Sequence, residues 1–309
     1  MTDQDSAQYS SQPEPNWPVK KREFMKLVID SRGWNDFAMR DDDIVISTWA
    51  KSGTTWTQQI VGQLIFGGTP GLYYTPQHSP WPDFRLRTDG REIAAAQTHR
   101  RFLKTHLPID ALPYSPKAKY IYIGRDGRDV FWSWHHHWSN FKPEVMARIS
   151  SFYPDEPPVP YPNPDIRLAF HDWLDLDGHP NWPFWSHVQG WFDAHDLPNL
   201  MLLHFADLKA DMPGQIRKVA DFLGIEIDPK TWPAILEHCS FEYMREHAVA
   251  DPMQAPALVG GGATFINKGT NGRWRDILTE EDNARFEAEA AAHLSPAAAK
   301  WLASGVLPG

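Results

Sequence analysis

The stretch "TWAKSGTTWTQQIVGQLIF", residues 48–66, is the part of the chain that decides the fold class. It follows "IVIS" at 44–47, a short apolar run typical of a buried strand. Apolar residues then recur at spacings of three and four, which predicts a helix over 54–66. A strand, a glycine-containing loop and a helix together form a common anion site, because the first N–H groups of the helix point at the anion. In a Walker loop Lys follows Gly, whereas here Lys51 precedes Gly53.

The composition indicates a large apolar core and an acidic surface. Hydrophobic residues make up 42% of the 309 residues, and 15 of them are Trp, which favours deep aromatic packing or an aromatic pocket. The net charge of −9 argues against nucleic acid as the main partner. The lone cysteine excludes an intrachain disulfide.

Neither a membrane span nor a signal peptide is visible in the sequence. No run reaches the roughly 18 apolar residues that a membrane helix needs. The segment 1–17 lacks the basic head and apolar stretch of a signal peptide. We therefore expect a cytoplasmic protein with a flexible tail over 1–17 and a single domain over 18–309.

Strand-like and helical patterns alternate along the chain. Short apolar runs occur at 43–48, 102–106, 119–125 and 200–205, and helical patterns occur at 54–66, 128–140 and 213–223. This alternation predicts an α/β fold with a central, mostly parallel sheet flanked by helices and a P-loop-like nucleotide site. The segment 153–165 contains six prolines and is expected to be a surface connection or a lid, and "VGGGA" at 259–263 is expected to be a flexible hinge.

Three separate loops carry groups suited to anions. In the first, the N–H groups of residues 52–55 and the ammonium of Lys51 are available at a helix start. In the second, Arg125 ends a strand, and Ser133 lies two turns into the following helix. In the third, Lys268 and Gly269 lie in a glycine-rich loop. Together they predict a site for two anionic groups on one ligand.

The order of five motifs resembles that of the cytosolic-type sulfotransferases. These enzymes move a sulfuryl group from 3′-phosphoadenosine 5′-phosphosulfate (PAPS) to a hydroxyl or amine and leave 3′,5′-adenosine bisphosphate (PAP). The matching segments are "TWAKSGTTW" (48–56), "KTHLP" (104–108), "IGRDGRDVFWSW" (123–134), "FADLKADMPGQIRKVADFLG" (205–224) and "NKGTNGRWR" (267–275).

The resemblance implies a set of donor-binding residues. Lys51, Ser52, Gly53, Thr54 and Thr55 are expected to cradle the 5′-phosphosulfate, and Trp56 to stack on the adenine. The 3′-phosphate is expected at Arg125 and Ser133, with help from Asn267, Lys268 and Gly269. Further nucleotide contacts are expected from Trp185, Cys239, Phe241 and Met244.

The same resemblance implies the catalytic residues. The acceptor hydroxyl must lose a proton as it attacks sulfur, and His106 is the expected general base, since an ordinary imidazole pKa suits this work near neutrality. Lys51 is expected to stabilise the leaving oxygen, and Lys104 the transferring sulfuryl oxygens. We expect no metal requirement. The run "HHH" at 135–137 makes a poor chelate, because consecutive helix residues point in different directions.

The acceptor is expected to be a small molecule with a hydroxyl group, lipophilic or aromatic. Trp81 and Phe84 lie where members of the family place aromatic rings against the acceptor, and Trp134 and His137 are further candidates beside His106. A phenol, a sterol-like alcohol and another lipophilic alcohol all remain open.

Some positions depart from the family pattern. Asn267 replaces an Arg that usually meets the 3′-phosphate, so either the affinity for the donor falls or another residue compensates, with Arg273 and Arg275 as the candidates. The dimerisation motif of many members survives only as "RDILTEEDNA" (275–284), so a homodimer through that contact is left open. In this segment Thr279 and Asp282 predict a helix N-cap.

Two alternatives to a sulfotransferase are a P-loop kinase-like phosphotransferase and a non-catalytic nucleotide-binding module. The first needs a Walker lysine and an acidic metal ligand, and neither is evident. The second predicts loss of Lys51 or His106, and both are present.

Overall fold

The computed structural model of the protein describes residues 15–71, 76–250 and 254–307. Most of the segment predicted as a flexible tail, residues 1–14, therefore lies outside the described residues. The described strands are β1 (Met25–Lys26), β2 (Ile29–Asp30), β3 (Ile44–Ser47), β4 (Phe102–Thr105), β5 (Lys119–Gly124) and β6 (Leu200–His204).

Fourteen α-helices are described, with short 3-10 helices at Ser31–Trp34, Ile109–Ala111 and Ala248–Ala250. The helices are α1 (Thr54–Ile65), α2 (Gly90–Ala96), α3 (Gly127–Ser139), α4 (Pro143–Ser150), α5 (Ile166–Asp175), α6 (Phe184–Phe192), α7 (Phe205–Ala210), α8 (Met212–Leu223), α9 (Trp232–His238), α10 (Phe241–His247), α11 (Gln254–Ala257), α12 (Gly262–Phe265), α13 (Glu280–His293) and α14 (Pro296–Ser304).

Strands β3 to β6 form one parallel sheet in the order β4-β3-β5-β6. These are the four strands that the sequence predicts, each within two residues at either end. β1 and β2 form a separate antiparallel pair that the sequence analysis missed, because two-residue strands leave too short a pattern to detect. The predicted α/β class is confirmed.

Helices cover both faces of the sheet, as the apolar pattern of the strands requires. On one face Ile44, Ile46, Ile121 and Ile123 pack against residues of α1, α8 and α9. On the other face Val45, Leu103, Tyr120 and Tyr122 pack against α3, α5, α6, α13 and α14, where most of the buried Trp rings lie. Successive strand residues thus alternate between two apolar layers.

The ends of α8 and the start of α13 agree with the boundaries predicted from their capping residues. α8 begins next to Pro213 and ends at Gly224, which adopts the left-handed conformation. Thr279 and Asp282 form the predicted capping box of α13. The proline-rich segment 153–165 contains no helix or strand, as expected. In the glycine-rich segment 259–263, residues 259–261 form a turn and residues 262–263 begin α12.

Candidate active site

Parallel strands bring their carboxyl ends to one edge of the sheet, and the sequence motifs meet there. Lys51 follows β3, His106 follows β4 and Arg125 follows β5. A cavity of about 730 Å³ opens at this edge and is lined by all three residues. Every site residue predicted from the sequence lines this cavity except Ser52, Trp185 and Cys239.

The loop between β3 and α1 depends on an unusual backbone. Gly53 has φ +125°, a conformation that only glycine adopts readily. A Cβ atom there would lie 2.8 Å from Ile123 Cδ1 and 3.0 Å from Phe205 Cδ2. Lys51 itself has φ +71°. The loop therefore turns sharply under the start of α1, whose first N–H groups have no carbonyl partner within the helix.

Ser52 does not take the predicted place in this loop. Its N–H donates to the carbonyl of Trp49 at 3.3 Å, and its side chain is buried away from the cavity. The tight turn directs the Ser52 amide back toward β3, a detail that the motif alone does not show. The anion-facing donors are thus expected from Lys51 and from the first turn of α1.

Three cations face the cavity: Lys104 and Arg125 are buried, and Lys51 is partly exposed. Burial, with Lys104 and Arg125 nearby, lowers the pKa of Lys51 to about 7. Burial likewise lowers the pKa of Arg125 to about 10. The Lys51 ammonium lies 4.6 Å from the centre of the Phe265 ring, and that of Lys104 lies 3.9 Å from the centre of the Trp81 ring. Lys104 and Arg125 thus disfavour the charged form of Lys51, and an anionic ligand would offset this effect.

Arg125 is held by the chain itself. Its guanidinium donates to Asn271 Oδ1, to the Lys51 carbonyl and to the Thr270 carbonyl at 3.0, 3.2 and 3.1 Å. Its plane lies over Phe205, 4.2 Å from the ring centre. These contacts join the loop after β3 to the loop before α13. Ser133, Asn267, Lys268 and Gly269 line the same cavity as Arg125.

Arg273 is the candidate that could compensate for Asn267. It lines the cavity, and its charge contributes to lowering the pKa of Arg125. Arg275, the other candidate, does not line the cavity and lies beside Trp274. The structure therefore brings one of the two arginines to the site.

The hydrogen bonds of His106 fix its tautomer. Nδ1 lies 2.7 Å from the Thr48 carbonyl oxygen, which can only accept, so Nδ1 carries the proton. The neutral ring then keeps its lone pair on Nε2. Burial, followed by the charge of Lys104, holds the pKa of His106 well below its ordinary value. His106 is therefore neutral near pH 7, with Nε2 able to accept a proton.

Two residues that sequence reasoning missed hold this imidazole in place. Thr48 accepts through its carbonyl, and its hydroxyl lies 2.7 Å from that of Thr54 at the start of α1. His187 donates from Nε2 to the His106 carbonyl at 3.2 Å and accepts at Nδ1 from Tyr122 at 3.1 Å. The position of Thr48 just after a strand and before the anion loop was the only available signal.

An aromatic pocket lies on the α10 side of the anion loop. Trp56, Phe241 and Met244 line it, as predicted. Trp56 donates from Nε1 to the Cys239 carbonyl at 2.9 Å. Gly269 has φ +60°, and a Cβ there would lie 2.6 Å from the Phe241 ring. The glycine thus lets the third loop approach this pocket closely.

Two predicted contacts in this region need correction. The Cys239 side chain is fully buried in the core, so only its backbone carbonyl serves the site, through Trp56. Trp185 lies on α6, where its ring packs against Phe286 and His293 of α13. Because α6 turns this ring into the core, Trp185 does not reach the cavity.

On the opposite side of His106 the cavity wall is aromatic. Trp81 and Phe84 stack at 4.2 Å with an interplanar angle of 7°. The edge of Trp81 meets His106 at 5.0 Å, and Trp182 stacks on His106 at 5.4 Å. Trp134 also lines this wall, as predicted. Trp182 was missed because nothing in its local sequence separates it from the other core tryptophans.

Trp81 is held from behind by a buried carboxylate. Asp83 accepts from Trp34 Nε1 at 2.7 Å and from Trp81 Nε1 at 2.9 Å. Burial raises the pKa of Asp83 to about 6, although these indole donors oppose the change. The carboxylate therefore fixes the plane of a ring that contacts both Lys104 and His106.

The three consecutive histidines contact different parts of the chain. His135 Nε2 donates to the Asn163 carbonyl at 2.8 Å, and His136 Nε2 to the Thr264 carbonyl at 3.3 Å. His137 lines the cavity.

Within residues 15–71, 76–250 and 254–307, no helix is long and apolar enough to cross a membrane.

Known proteins share this sequence and fold. Residues 41–295 match the family described as "Sulfotransferase domain". A glycolipid sulfotransferase of Mycobacterium bovis is 31% identical, with 85% of this chain and 88% of that protein covered. A 3-alpha-hydroxysteroid sulfotransferase of Cavia porcellus is 29% identical, with 81% and 83% covered.

Solved structures show the same fold. Mouse sulfotransferase SULT7A1, complexed with PAP, has a TM-score of 0.64 at 20% identity, and 88% of this chain and 92% of that chain are covered. Retinol dehydratase in complex with androsterone and PAP has a TM-score of 0.65 at 23% identity, with 87% of each chain covered. These matches favour the sulfotransferase over the kinase-like and non-catalytic alternatives. The chain therefore belongs to the sulfotransferase family and is, at the level of enzyme class, the PAPS-dependent sulfotransferase that its motifs predict.

Proposed function

We propose that the protein transfers a sulfuryl group from PAPS to a hydroxyl group of a lipophilic small molecule, with His106 as the general base. The observation that carries the proposal is the position of His106. Its Nδ1–H is fixed by the Thr48 carbonyl, its ring contacts the Trp81 and Trp182 rings, and the charges of Lys104 and Lys51 act on it.

The donor would be held by two groups of residues. The charge on Lys51 and the first N–H groups of α1 suit the 5′-phosphosulfate, and Arg125, Ser133 and Lys268 suit the 3′-phosphate. The repulsion that Lys104 and Arg125 exert on the Lys51 ammonium supports this fit, because an anion would relieve it. PAPS supplies a sulfuryl group whose bond to the 5′-phosphate oxygen breaks as the acceptor oxygen bonds to sulfur.

Residues of the chain then accept the proton of the acceptor hydroxyl and stabilise the negative charge that develops on the phosphate and sulfuryl oxygens. Nε2 of His106 takes the proton of the acceptor hydroxyl as that oxygen becomes bonded to sulfur. The ammonium of Lys51 stabilises the electron pair left on the phosphate oxygen, and that of Lys104 stabilises the sulfuryl oxygens.

The shape and chemistry of the acceptor side support a lipophilic alcohol. Trp81, Phe84, Trp134 and Trp182 present mainly carbon surface to the cavity. The relatives named above act, by their names, on glycolipids and on hydroxysteroids. Both classes combine a hydroxyl group with a large apolar body, and this combination matches the cavity.

The test is sulfuryl transfer from PAPS by the wild type, by His106→Ala and by His293→Ala. His293 is a half-exposed histidine on α13 that contacts Trp185, outside the cavity, and it controls for the loss of any imidazole. We expect the kcat of His106→Ala to fall about 10²- to 10⁴-fold, the usual contribution of a general base. The Kd for PAP, measured by calorimetry, should change little.

Three outcomes would contradict the proposal. Transfer by His106→Ala at the wild-type rate would remove His106 as the base. Equal losses in both variants would point to general destabilisation rather than catalysis. Tighter binding of ATP than of PAP by the wild type would contradict PAPS as the donor.

A further inference from the structure

His137 is the polar side chain of the acceptor wall whose role the proposed reaction leaves unexplained. It lies on α3, one helical turn after Ser133, and its ring lines the cavity. Two aromatic rings meet it edge-on, Phe141 at 4.7 Å and Phe265 at 5.6 Å between ring centres. An imidazole thus occupies a position surrounded by phenyl rings, where a purely apolar pocket would place another one.

The hydrogen-bonding groups of this imidazole have no partner in the part of the chain that the structure describes. Its neighbours on the helix differ in this respect: His135 bonds to the Asn163 carbonyl and His136 to the Thr264 carbonyl. Burial, followed by the charges of Lys51, His136 and Lys104, holds the pKa of His137 well below its ordinary value. A neutral imidazole carries one N–H donor and one lone-pair acceptor.

Leaving these groups without a partner is costly once the cavity fills with an apolar ligand. A buried donor or acceptor that loses water and gains nothing costs about 1–3 kcal/mol. A ligand with a hydroxyl or carbonyl oxygen at this position avoids that cost, so such a site discriminates strongly against analogues that lack the oxygen. The Phe265 ring contacts His137 at 5.6 Å and the Lys51 ammonium at 4.6 Å, which places the His137 ring toward the reacting end of the cavity.

We propose that His137 binds a second oxygen of the acceptor, close to the hydroxyl group that faces His106, and that the preferred acceptors are therefore diol-type alcohols rather than simple monohydroxy compounds. The inference rests on the proposed function, since it assigns the substrate class of the same site. Lipids with a sugar headgroup and catechol-like aromatics share this pair of neighbouring oxygens.

The test compares 2-naphthol with 2,3-, 2,6- and 2,7-dihydroxynaphthalene, so that the second hydroxyl is sampled near to and far from the first. Binding of each to the enzyme–PAP complex is measured by calorimetry, and transfer is measured with PAPS. The variants are His137→Phe, which keeps a flat ring, and His135→Phe, which alters a histidine of the same helix that does not line the cavity.

We expect the wild type and His135→Phe to prefer 2,3-dihydroxynaphthalene over 2-naphthol about tenfold or more, in binding and in kcat/KM. His137→Phe should lose most of that preference, because 2-naphthol then no longer leaves a buried polar group without a partner. The 2,6- and 2,7-isomers should gain little over 2-naphthol in any of the three proteins.

Several results would overturn this inference. A preference that survives in His137→Phe, or its absence in the wild type, would show that His137 does not read a second oxygen. An equal loss for all four naphthols, with weaker PAP binding, would place His137 on the donor instead. The proposed function fails separately: full activity of His106→Ala would contradict the base while leaving the diol preference and its dependence on His137 intact.

Discussion

The lowered pKa of Lys51 predicts that donor-site affinity falls as the pH rises above neutrality. Burial, with Lys104 and Arg125 nearby, lowers the pKa of Lys51 to about 7 in the free protein. A bound anion favours the charged ammonium and raises this pKa. Binding of PAP therefore takes up a proton wherever Lys51 is neutral beforehand, and the affinity follows the fraction of Lys51 that is protonated in the free protein.

The size of the effect follows from that value. With a pKa of about 7, roughly half of Lys51 is charged at about pH 7 and roughly 3% at about pH 8.5. We therefore expect the Kd for PAP to rise about 15-fold over this interval, equivalent to about 1.6 kcal/mol of binding free energy. The interval avoids the second ionisation of the phosphates near pH 6, which would change the charge of the ligand.

The assay is calorimetric titration of PAP at several pH values, repeated in buffers with different ionisation enthalpies to count protons. Lys51→Met is the control, because its side chain is neutral at every pH; it should bind PAP weakly and with little pH dependence in this range. A wild-type Kd that stays constant from about pH 7 to 8.5, with no proton uptake, would refute the assignment of Lys51 to the anion.

Three further substitutions test the supporting structure. Gly53→Ala forces φ +125° on alanine and crowds Ile123, so we expect a stability loss of about 2–4 kcal/mol and weaker PAP binding, measured by thermal unfolding and calorimetry. Gly67→Ala, at φ +58° in open space, is the control and should cost only about 1 kcal/mol. Asp83→Asn leaves one indole N–H facing an amide N–H, so the KM for the acceptor should rise severalfold while the Kd for PAP stays constant. Asp282→Ala removes the capping box of α13 and the partner of Arg167, so the free energy of unfolding should fall by about 1–2 kcal/mol, measured as a lower melting temperature. The affinity for PAP should stay unchanged, and a change in it would argue against a purely structural role.

The sequence predicts the sheet and the anion loop well because their signals are local. Each central strand is an apolar run between polar breaks, and the loop 51–55 is contiguous. Parallel pairing then brings the ends of β3, β4 and β5 together without further information. Motif order was thus enough to place Lys51, His106 and Arg125 around one cavity.

What the sequence could not predict depends on the directions of individual groups. The Ser52 amide turns toward Trp49 because of the positive φ of its neighbours, and the Trp185 ring turns into the core because α6 packs on α13. The contact of Trp182 with His106 joins residues 76 positions apart, and only the packed chain specifies it. The binding of a 3′-phosphate by Lys268 and Ser133 and the single domain over 18–309 stay predictions, and the homodimer stays open.

The same charges that bind the donor also set the strength of the base. In the free protein, burial and the charge of Lys104, with a smaller effect from Lys51, hold the pKa of His106 low, so the imidazole is neutral but weakly basic. A bound anion offsets the positive charge of both lysines, and the pKa of His106 must then rise toward its ordinary value. The proton affinity of Nε2 is therefore greatest when the donor is in place, because the Thr48 carbonyl keeps the same tautomer throughout. The cation cluster in this way couples donor binding to base strength, with no movement of the chain required.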